Sequence, residues 1–197
     1  QVLFYDEGQS IKPSDVEAEK FRRIRREAVR LKLVSQMRVK GGMDYINFVD
    51  NLLHARLEPG DPKFESDNYE LVLYDSLTQL YADLKKKEDE FGLCRLLSGY
   101  SWEWKSAKAD VPDITIEGLN LKWNSTNEDW INSPNAFNEV GCIHTTQGYD
   151  LNYAGVIIGK DLGFDSKNKK FVFNRENYFD TKGKENNKTL GQKYSDE

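Results

Sequence analysis

The residues best suited to chemistry lie in one polar segment, 144–150, between two apolar runs of the chain. The segment supplies imidazole, hydroxyl and amide groups that can donate hydrogen bonds to a phosphate backbone, from His144, Thr145, Thr146 and Gln147. Gly148 lets a backbone approach closely, and Asp150 can accept a hydrogen bond from a ribose hydroxyl. Polar groups at the strand ends of an α/β sheet face the ligand crevice, so the pattern predicts a binding site. A polar loop with capping residues is the alternative that the residues leave open.

A second candidate is Gln9, which ends the tetrapeptide Asp6-Glu7-Gly8-Gln9 after the apolar run 2–5. In one interpretation, Gln9 senses the γ-phosphate of a nucleotide from the strand that follows a Walker B strand. In another, Asp6 and Glu7 themselves end a Walker B strand and support magnesium. The third interpretation is an acidic turn that merely ends a strand. The four residues alone do not choose among the three.

Arg38 is the third candidate, at the end of an apolar segment, 33–39, that is predicted to form a strand. A guanidinium is permanently charged and grips phosphate through a fork of donors. The position therefore suits a phosphate ligand, although a single arginine of this kind is more often an ordinary surface residue.

Two further groups of side chains suit nucleic acid. Six cations fall within residues 20–30 on the polar side of a predicted helix, where they form either a phosphate track or a solvated face. Trp102 and Trp104, together with Trp123, can stack on bases or can close a small aromatic core. Both alternatives stay open for each group.

Hydrophobic periodicity predicts an α/β fold with a mostly parallel sheet flanked by helices. A capping box opens the first helix at Ser14, and amphipathic helices are expected at 45–53 and 77–90. Residues 71–74 are expected to be either a strand or the segment that leads into the next helix. The two apolar runs on either side of the polar segment are expected to be buried strands. Other strands are predicted at 2–5, 33–39, 93–97 and, at a sheet edge, 171–173. Alternating residues predict a Trp-rich β-hairpin that turns near Gly118, inside an insertion of about residues 100–135.

Composition sets broad limits on function. The chain has 197 residues, with 28 Lys and Arg against 33 Asp and Glu, and its net charge of −5 neither advertises nor excludes nucleic-acid binding. Cys94 and Cys142 belong to no CxxC pair, so buried thiols are expected and no metal site is predicted. No apolar run approaches the roughly 20 residues of a membrane span, so a cytoplasmic protein without a membrane partner is expected.

In this order, the segments resemble the motifs of superfamily 1 helicases, and more closely those of the bacterial Schlafen-group-3 type DNA/RNA helicase domain family. The segment Asp6-Glu7-Gly8-Gln9-Ser10-Ile11 resembles helicase motif III. The segment Gln36-Met37-Arg38 resembles motif IV, with Met37 in place of an aromatic residue. Residues 144–150 resemble motif V. Residues 99–104 and 123–124 also match the narrower family. The 28 residues between Gln9 and Arg38 favour motif III over Walker B for the first segment.

The resemblance implies a RecA-like fold of the P-loop NTPase class and a role for each candidate. Residues 1–12 would end a preceding RecA-like domain, 13–180 would form the second such domain, and 181–197 would be a polar tail. The γ-phosphate would be sensed by Arg38 and Gln9, and the nucleotide would lie near Gln147, Gly148 and Asp150. DNA or RNA, in single-stranded form, would contact His144, Thr145, Thr146, Trp102 and Trp104.

The chain departs from the helicase pattern at two points. It contains no Gly-x-x-x-x-Gly-Lys-Ser/Thr segment and no arginine-bearing motif VI after motif V. Because Gln1 also leads straight into an apolar run without a Met, a fragment of a longer protein is expected. The full-length protein would bind ATP and Mg²⁺ with the help of an N-terminal RecA-like domain, and the fragment alone would bind neither. The alternative is a non-hydrolysing nucleic-acid-binding, regulatory or protein-interaction domain.

Overall fold

A computed structural model describes residues 2–5, 16, 18–24, 26, 28, 29, 31–33, 37–181, 183, 184, 186, 187, 192 and 193. The chain divides into two units, the first comprising residues 1–36 and 180–197 and the second residues 37–179. The predicted motif III segment, including Gln9, lies outside the described residues. Among those described, no helix is both long enough and apolar enough to cross a membrane.

The first unit contains helix α1 (Ala18–Ile24) and a short antiparallel pair, β8 (Asn186–Asn187) with β9 (Gln192–Lys193). Tyr5 stacks on Phe21 of α1 with ring centroids 4.2 Å apart, and its hydroxyl donates to the carbonyl of Val16. The predicted strand at 2–5 is wrong, because none of the described residues pairs with it, and its apolar side chains are exposed. Four cations of the basic segment are also exposed, namely Lys20, Arg22, Arg23 and Arg26.

The second unit is built on one five-stranded sheet. Its helices are α2 (Gly42–Leu53), α3 (Leu77–Phe91) and the single turn α4 (Ile143–Thr146). The sheet comprises β1 (Cys94–Ser98), β2 (Ile114–Ile116), β3 (Leu119–Trp123), β4 (Glu139–Gly141) and β5 (Tyr153–Ile157), in the order β2-β3-β4-β1-β5. The last four strands in that order are parallel, and β2 is antiparallel to β3. The expectation of an α/β fold with a mostly parallel sheet is confirmed.

Helix α3 covers one face of this sheet. Ser76 caps it by accepting a hydrogen bond from the amide of Gln79, and the predicted apolar stripe faces the strands, with Leu77 and Leu84 buried. Burying each such leucine contributes about 1.5–3 kcal/mol. The helix comes close to β5 because Gly155 has no side chain: a Cβ there would lie 3.3 Å from Leu80 Cδ1 and from Leu84 Cδ2 of the helix. The predicted helices α2 and α3 and the predicted buried strand β1 are thus confirmed, and β5 forms at the predicted place.

A smaller apolar cluster lies against the other face and is built around Trp130, Ile131 and Ala136. The indole of Trp130 occupies the space beside Gly141 at the end of β4, where a Cβ would lie 2.4 Å from Trp130 Cζ3. Strand β4 is buried, as predicted, whereas β5 is not buried on both faces. Val156 and the following Ile158 are exposed, because β5 is one of the two edge strands of the sheet.

The predicted hairpin forms but is not an insertion between core strands. It turns at Glu117 and Gly118, whose φ angles of 52° and 84° suit a tight hairpin turn. Its second strand, β3, pairs in parallel with β4 and so belongs to the central sheet. Alternation along β3 buries Leu121 and Trp123 in the main core, and this burial explains why the hairpin lies there.

Two other predicted strands differ from the structure. Around Arg38 no strand forms among the described residues, because Val39 accepts a hydrogen bond from the amide of Gly42 in a turn that leads into α2. The segment 171–173 is a strand, but it is not an edge of the central sheet. It belongs to β7 (Lys170–Phe173), which pairs with β6 (Leu162–Asp165) in a separate antiparallel hairpin. Residues 71–74 lead into α3 without forming a strand.

Both cysteines are free, buried thiols, as expected. Burial raises the pKa of the Cys94 thiol to about 11, so this group is a neutral part of the core at physiological pH.

Candidate functional site

Four loops leave the central sheet on the same side, at the carboxyl ends of its parallel strands, and this side is called the sheet edge below. Because β3, β4, β1 and β5 are parallel, the loops that follow them leave from the same edge. The loop after β4 contains α4 and the predicted polar segment 144–150. In α/β sheets this edge is where ligands bind, so the structure places the segment where a binding site is expected.

The start of the segment is fixed by threonine hydroxyls. Thr145 is only 8% exposed, and its Oγ1 donates to Asn124 Oδ1, 2.6 Å away, at the end of β3. Thr146, which is half-buried, donates from its hydroxyl to the carbonyl of Cys142 at 3.0 Å. The Thr145 side chain therefore faces the protein rather than solvent, whereas His144 is exposed.

The middle of the segment is open to solvent. Gly148 has a φ of 93°, and no atom other than those of its chain neighbours lies within 4 Å of the position that a Cβ would take. Gln147 and Asp150, the other two residues predicted to lie near a nucleotide, are exposed as well. A ligand can thus approach the backbone at Gly148 without displacing a side chain.

The loop after β3, residues 124–129, supports this segment. Asn124 is buried with a φ of 48°, and Asp129 has a φ of 46°; both conformations are ones that Asn and Asp tolerate better than most residues. Asp129 accepts a 3.0 Å hydrogen bond from the Tyr149 hydroxyl, and this bond raises the pKa of Tyr149. The sequence pattern assigned Asn124 and Asp129 no role in the site. The one feature of the sequence that pointed to this loop was an Asn directly after a strand of alternating residues.

Arg38 lies beside the polar segment. Its Nε is 3.9 Å from Asp150 Oδ1, and the two side chains are 68% and 74% exposed. A solvent-exposed pair of this kind is worth at most about 1 kcal/mol and is weakened by salt. The structure therefore brings Arg38 and Asp150, two of the predicted nucleotide ligands, within 3.9 Å of each other at the protein surface.

The two predicted stacking residues differ in exposure. Trp102 is half-buried against the main core and lies beside Gly159, whose missing side chain makes room first for Ser101 and then for the Trp102 ring. Trp104 is 40% exposed, and its ring meets the edge of buried Trp123 at 6.2 Å. Of the two, Trp104 is the better placed to meet a base.

These groups suit a phosphate. Arg38 provides a permanently charged fork of donors, and the backbone near Gly148 is accessible to an anion. Among the described residues, no three His, Cys, Asp and Glu side chains come together as a set of metal ligands. The second predicted phosphate sensor, Gln9, lies outside the described part of the chain.

Comparison with known proteins gives two similarities. The family model described as "Schlafen group 3, DNA/RNA helicase domain" matches residues 1–197. The uncharacterized protein YPL245W of Saccharomyces cerevisiae is 27% identical over 166 residues, which cover 77% of this chain and 37% of the yeast protein. The chain thus spans well under half the length of that relative. No solved structure shows significant similarity to the 197-residue chain itself.

Proposed function

Because the chain belongs to the Schlafen group 3 DNA/RNA helicase domain family, we propose that it forms part of an ATP-dependent nucleic-acid helicase or translocase. Its second unit acts as a RecA-like domain that meets the nucleotide with some side chains and a nucleic-acid strand with others. A P-loop domain in the rest of the full-length protein holds ATP and Mg²⁺. The nucleic acid is DNA or RNA in single-stranded form.

The observation that carries this proposal is the 3.9 Å contact between Arg38 and Asp150. It joins the candidate γ-phosphate sensor to the segment that carries the candidate nucleic-acid ligands. A terminal phosphate offers more negative charge than a carboxylate and accepts hydrogen bonds from both arms of a guanidinium. ATP would therefore draw Arg38 away from Asp150 and free the segment that Asp150 belongs to.

In the hydrolytic step, Arg38 stabilises charge that develops on the transferred phosphoryl group. An arginine in this role contributes a large share of the rate in related phosphoryl transfers. Gln9 acts with it as a second sensor of the γ-phosphate. Gln147, Gly148 and Asp150 lie near the same nucleotide.

On the nucleic-acid side, the exposed His144 offers a donor to the phosphate backbone, whereas the Thr146 hydroxyl already donates to the carbonyl of Cys142. Thr145 acts by positioning, since its hydroxyl is committed to Asn124 and holds the segment at the sheet edge. Trp104 stacks on a base with its exposed ring face, and the half-buried Trp102 supports that contact.

The test is steady-state ATP hydrolysis by the full-length protein, with and without a single-stranded oligonucleotide. Arg38→Ala is expected to lower kcat by roughly 10³-fold or more, because it removes the charge that the transition state requires. Arg56→Ala is the matched control, since Arg56 is also an exposed arginine paired with an aspartate, Asp50, at 2.7 Å. The 197-residue chain alone is expected to show no hydrolysis.

Unchanged turnover in Arg38→Ala would remove Arg38 from the nucleotide site. Hydrolysis by the isolated 197-residue chain would contradict the division of the active site between two domains. A full-length protein that binds single strands but does not hydrolyse ATP would support the non-hydrolysing adaptor instead.

A further inference from the structure

The β6–β7 hairpin carries an aromatic face at the same sheet edge as the polar segment. It follows β5 after residues 158–161, and its register pairs Leu162 with Phe173 and Phe164 with Phe171. Cross-strand partners and every second residue share a face, so these four side chains lie on one side of the hairpin. Phe164 is 55% exposed, and its ring contacts Phe171 edge-on at 5.4 Å.

A row of rings connects this face to the polar segment. Phe173 meets Tyr178 at 5.2 Å, and Tyr178 meets Tyr100 at 6.1 Å. Tyr100 in turn lies 6.1 Å from the His144 ring, measured between centroids. The hairpin face is therefore continuous with the residue at which the proposed nucleic-acid contact begins.

The hairpin segment is basic in an acidic chain. Residues 160–173 contain four lysines and two aspartates, whereas the whole chain has a net charge of −5. Both aspartates are engaged locally: Asp161 accepts from the Ser101 hydroxyl, and Asp165 accepts from the amides of Lys167 and Asn168 in the hairpin turn. Their negative charge is thus partly offset by donors of the protein.

Two of the four lysines, Lys160 and Lys167, are available to an anion on this face. Lys169 forms an ion pair with Glu58 at 2.6 Å, and Lys170 pairs across the hairpin with Asp165, on the face away from Phe164. All four are exposed. Lysines near an exposed aromatic ring suit a polyanion whose repeating units also carry a flat base, as those of a nucleic acid do. A purely apolar protein partner would leave these lysines without a counter-charge.

We propose that the aromatic face of the β6–β7 hairpin is a base-stacking platform for single-stranded nucleic acid, with Phe164 as its principal ring. Lys160 and Lys167 hold the neighbouring phosphates. This inference rests on the proposed function, because it extends the strand path that starts at His144. The occupant is single-stranded since paired bases have both faces covered by their neighbours in the duplex.

The test is the affinity of the full 197-residue chain for a fluorescein-labelled single-stranded oligonucleotide, measured by anisotropy. Phe164→Ala is expected to weaken binding roughly fivefold to 150-fold, the range that corresponds to removal of one stacking ring. Phe91→Ala is the matched control, because Phe91 is 49% exposed, also contacts an aromatic ring, that of Tyr153, and lies at the opposite sheet edge. Its affinity should equal that of the wild type.

Two further variants report on the mechanism rather than on folding. Phe164→Trp keeps a stacking ring, so it should bind as the wild type does, with additional tryptophan fluorescence that the oligonucleotide quenches. Replacing Lys160 and Lys167 by Gln should flatten the slope of log affinity against log salt by about 1.4, since each single-strand phosphate contact contributes roughly 0.7.

The outcomes separate the two proposals. Failure of the wild-type chain to bind any single strand would refute both nucleic-acid claims. Normal binding that neither Phe164→Ala nor the lysine replacement weakens would overturn the platform and leave the proposed function standing. Equal loss in Phe164→Ala and Phe91→Ala, or equal affinity for a duplex of the same length, would also overturn the platform.

Discussion

The Thr145 hydroxyl donates a 2.6 Å hydrogen bond to Asn124 Oδ1, and both side chains are buried. This bond joins the loop after β4 to the loop after β3, so it fixes where the polar segment 144–150 stands at the sheet edge. The segment owes its position to two residues that a ligand does not need to touch.

Thr145→Val should lower the free energy of unfolding by about 1–3 kcal/mol, because it keeps the side-chain shape but leaves the Asn124 carbonyl buried without its donor. Thr115→Val is the control: its hydroxyl also donates to an asparagine Oδ1, that of Asn120, but both residues are exposed. Urea denaturation measures both variants. Equal losses of stability in the two would contradict the account of the buried bond.

The Glu117 carboxylate, at the tip of the β2–β3 turn, contributes to stability in a pH-dependent way. Its Oε2 accepts from the Ser76 hydroxyl at 2.6 Å and from the amide of Thr78 at 2.9 Å, at the start of α3. The Ser76 hydrogen bond, with help from the Thr78 amide, lowers the pKa of Glu117. A carboxylate there also offsets the positive end of the helix dipole.

Because the folded pKa of Glu117 lies below its unfolded value, this stabilisation is complete above the unfolded pKa and is lost as pH falls through the folded one. Glu117→Gln should therefore have a lower melting temperature than the wild type at pH 7, and the difference should shrink on acidification to pH 3. Glu65→Gln, an exposed loop glutamate, should show neither effect. A melting-temperature difference in Glu117→Gln that is the same at pH 7 and pH 3 would contradict this explanation.

Local periodicity predicted those helices and strands whose apolar residues repeat along a single segment. The stripe of α3 and the apolar runs of β1 and β5 are examples, because helix and strand periods are visible in the residues themselves. The segments 2–5 and 33–39 are equally apolar, yet they form no strand among the described residues. Strand formation also needs a partner, and a partner is a long-range property that a local pattern does not contain.

The same limit applies to the site. The resemblance to helicase motifs predicted roles for Arg38 and Asp150, but only the fold brings the two side chains to 3.9 Å. Asn124 and Asp129 gave little signal, because their importance lies in positive φ angles and in contacts with another loop. The roles of the site residues in binding nucleotide and nucleic acid remain predictions.

The central claim is that nucleotide and strand are coupled through Arg38 and Asp150. The most direct measurement is the dissociation constant of the full-length protein for a single-stranded oligonucleotide, with and without a non-hydrolysable ATP analogue. We expect the analogue to change this constant at least fivefold in the wild type and in Arg56→Ala, as typical couplings between sites do. In Arg38→Ala the two constants should become equal. The same nucleotide dependence in Arg38→Ala and in the wild type would contradict the account.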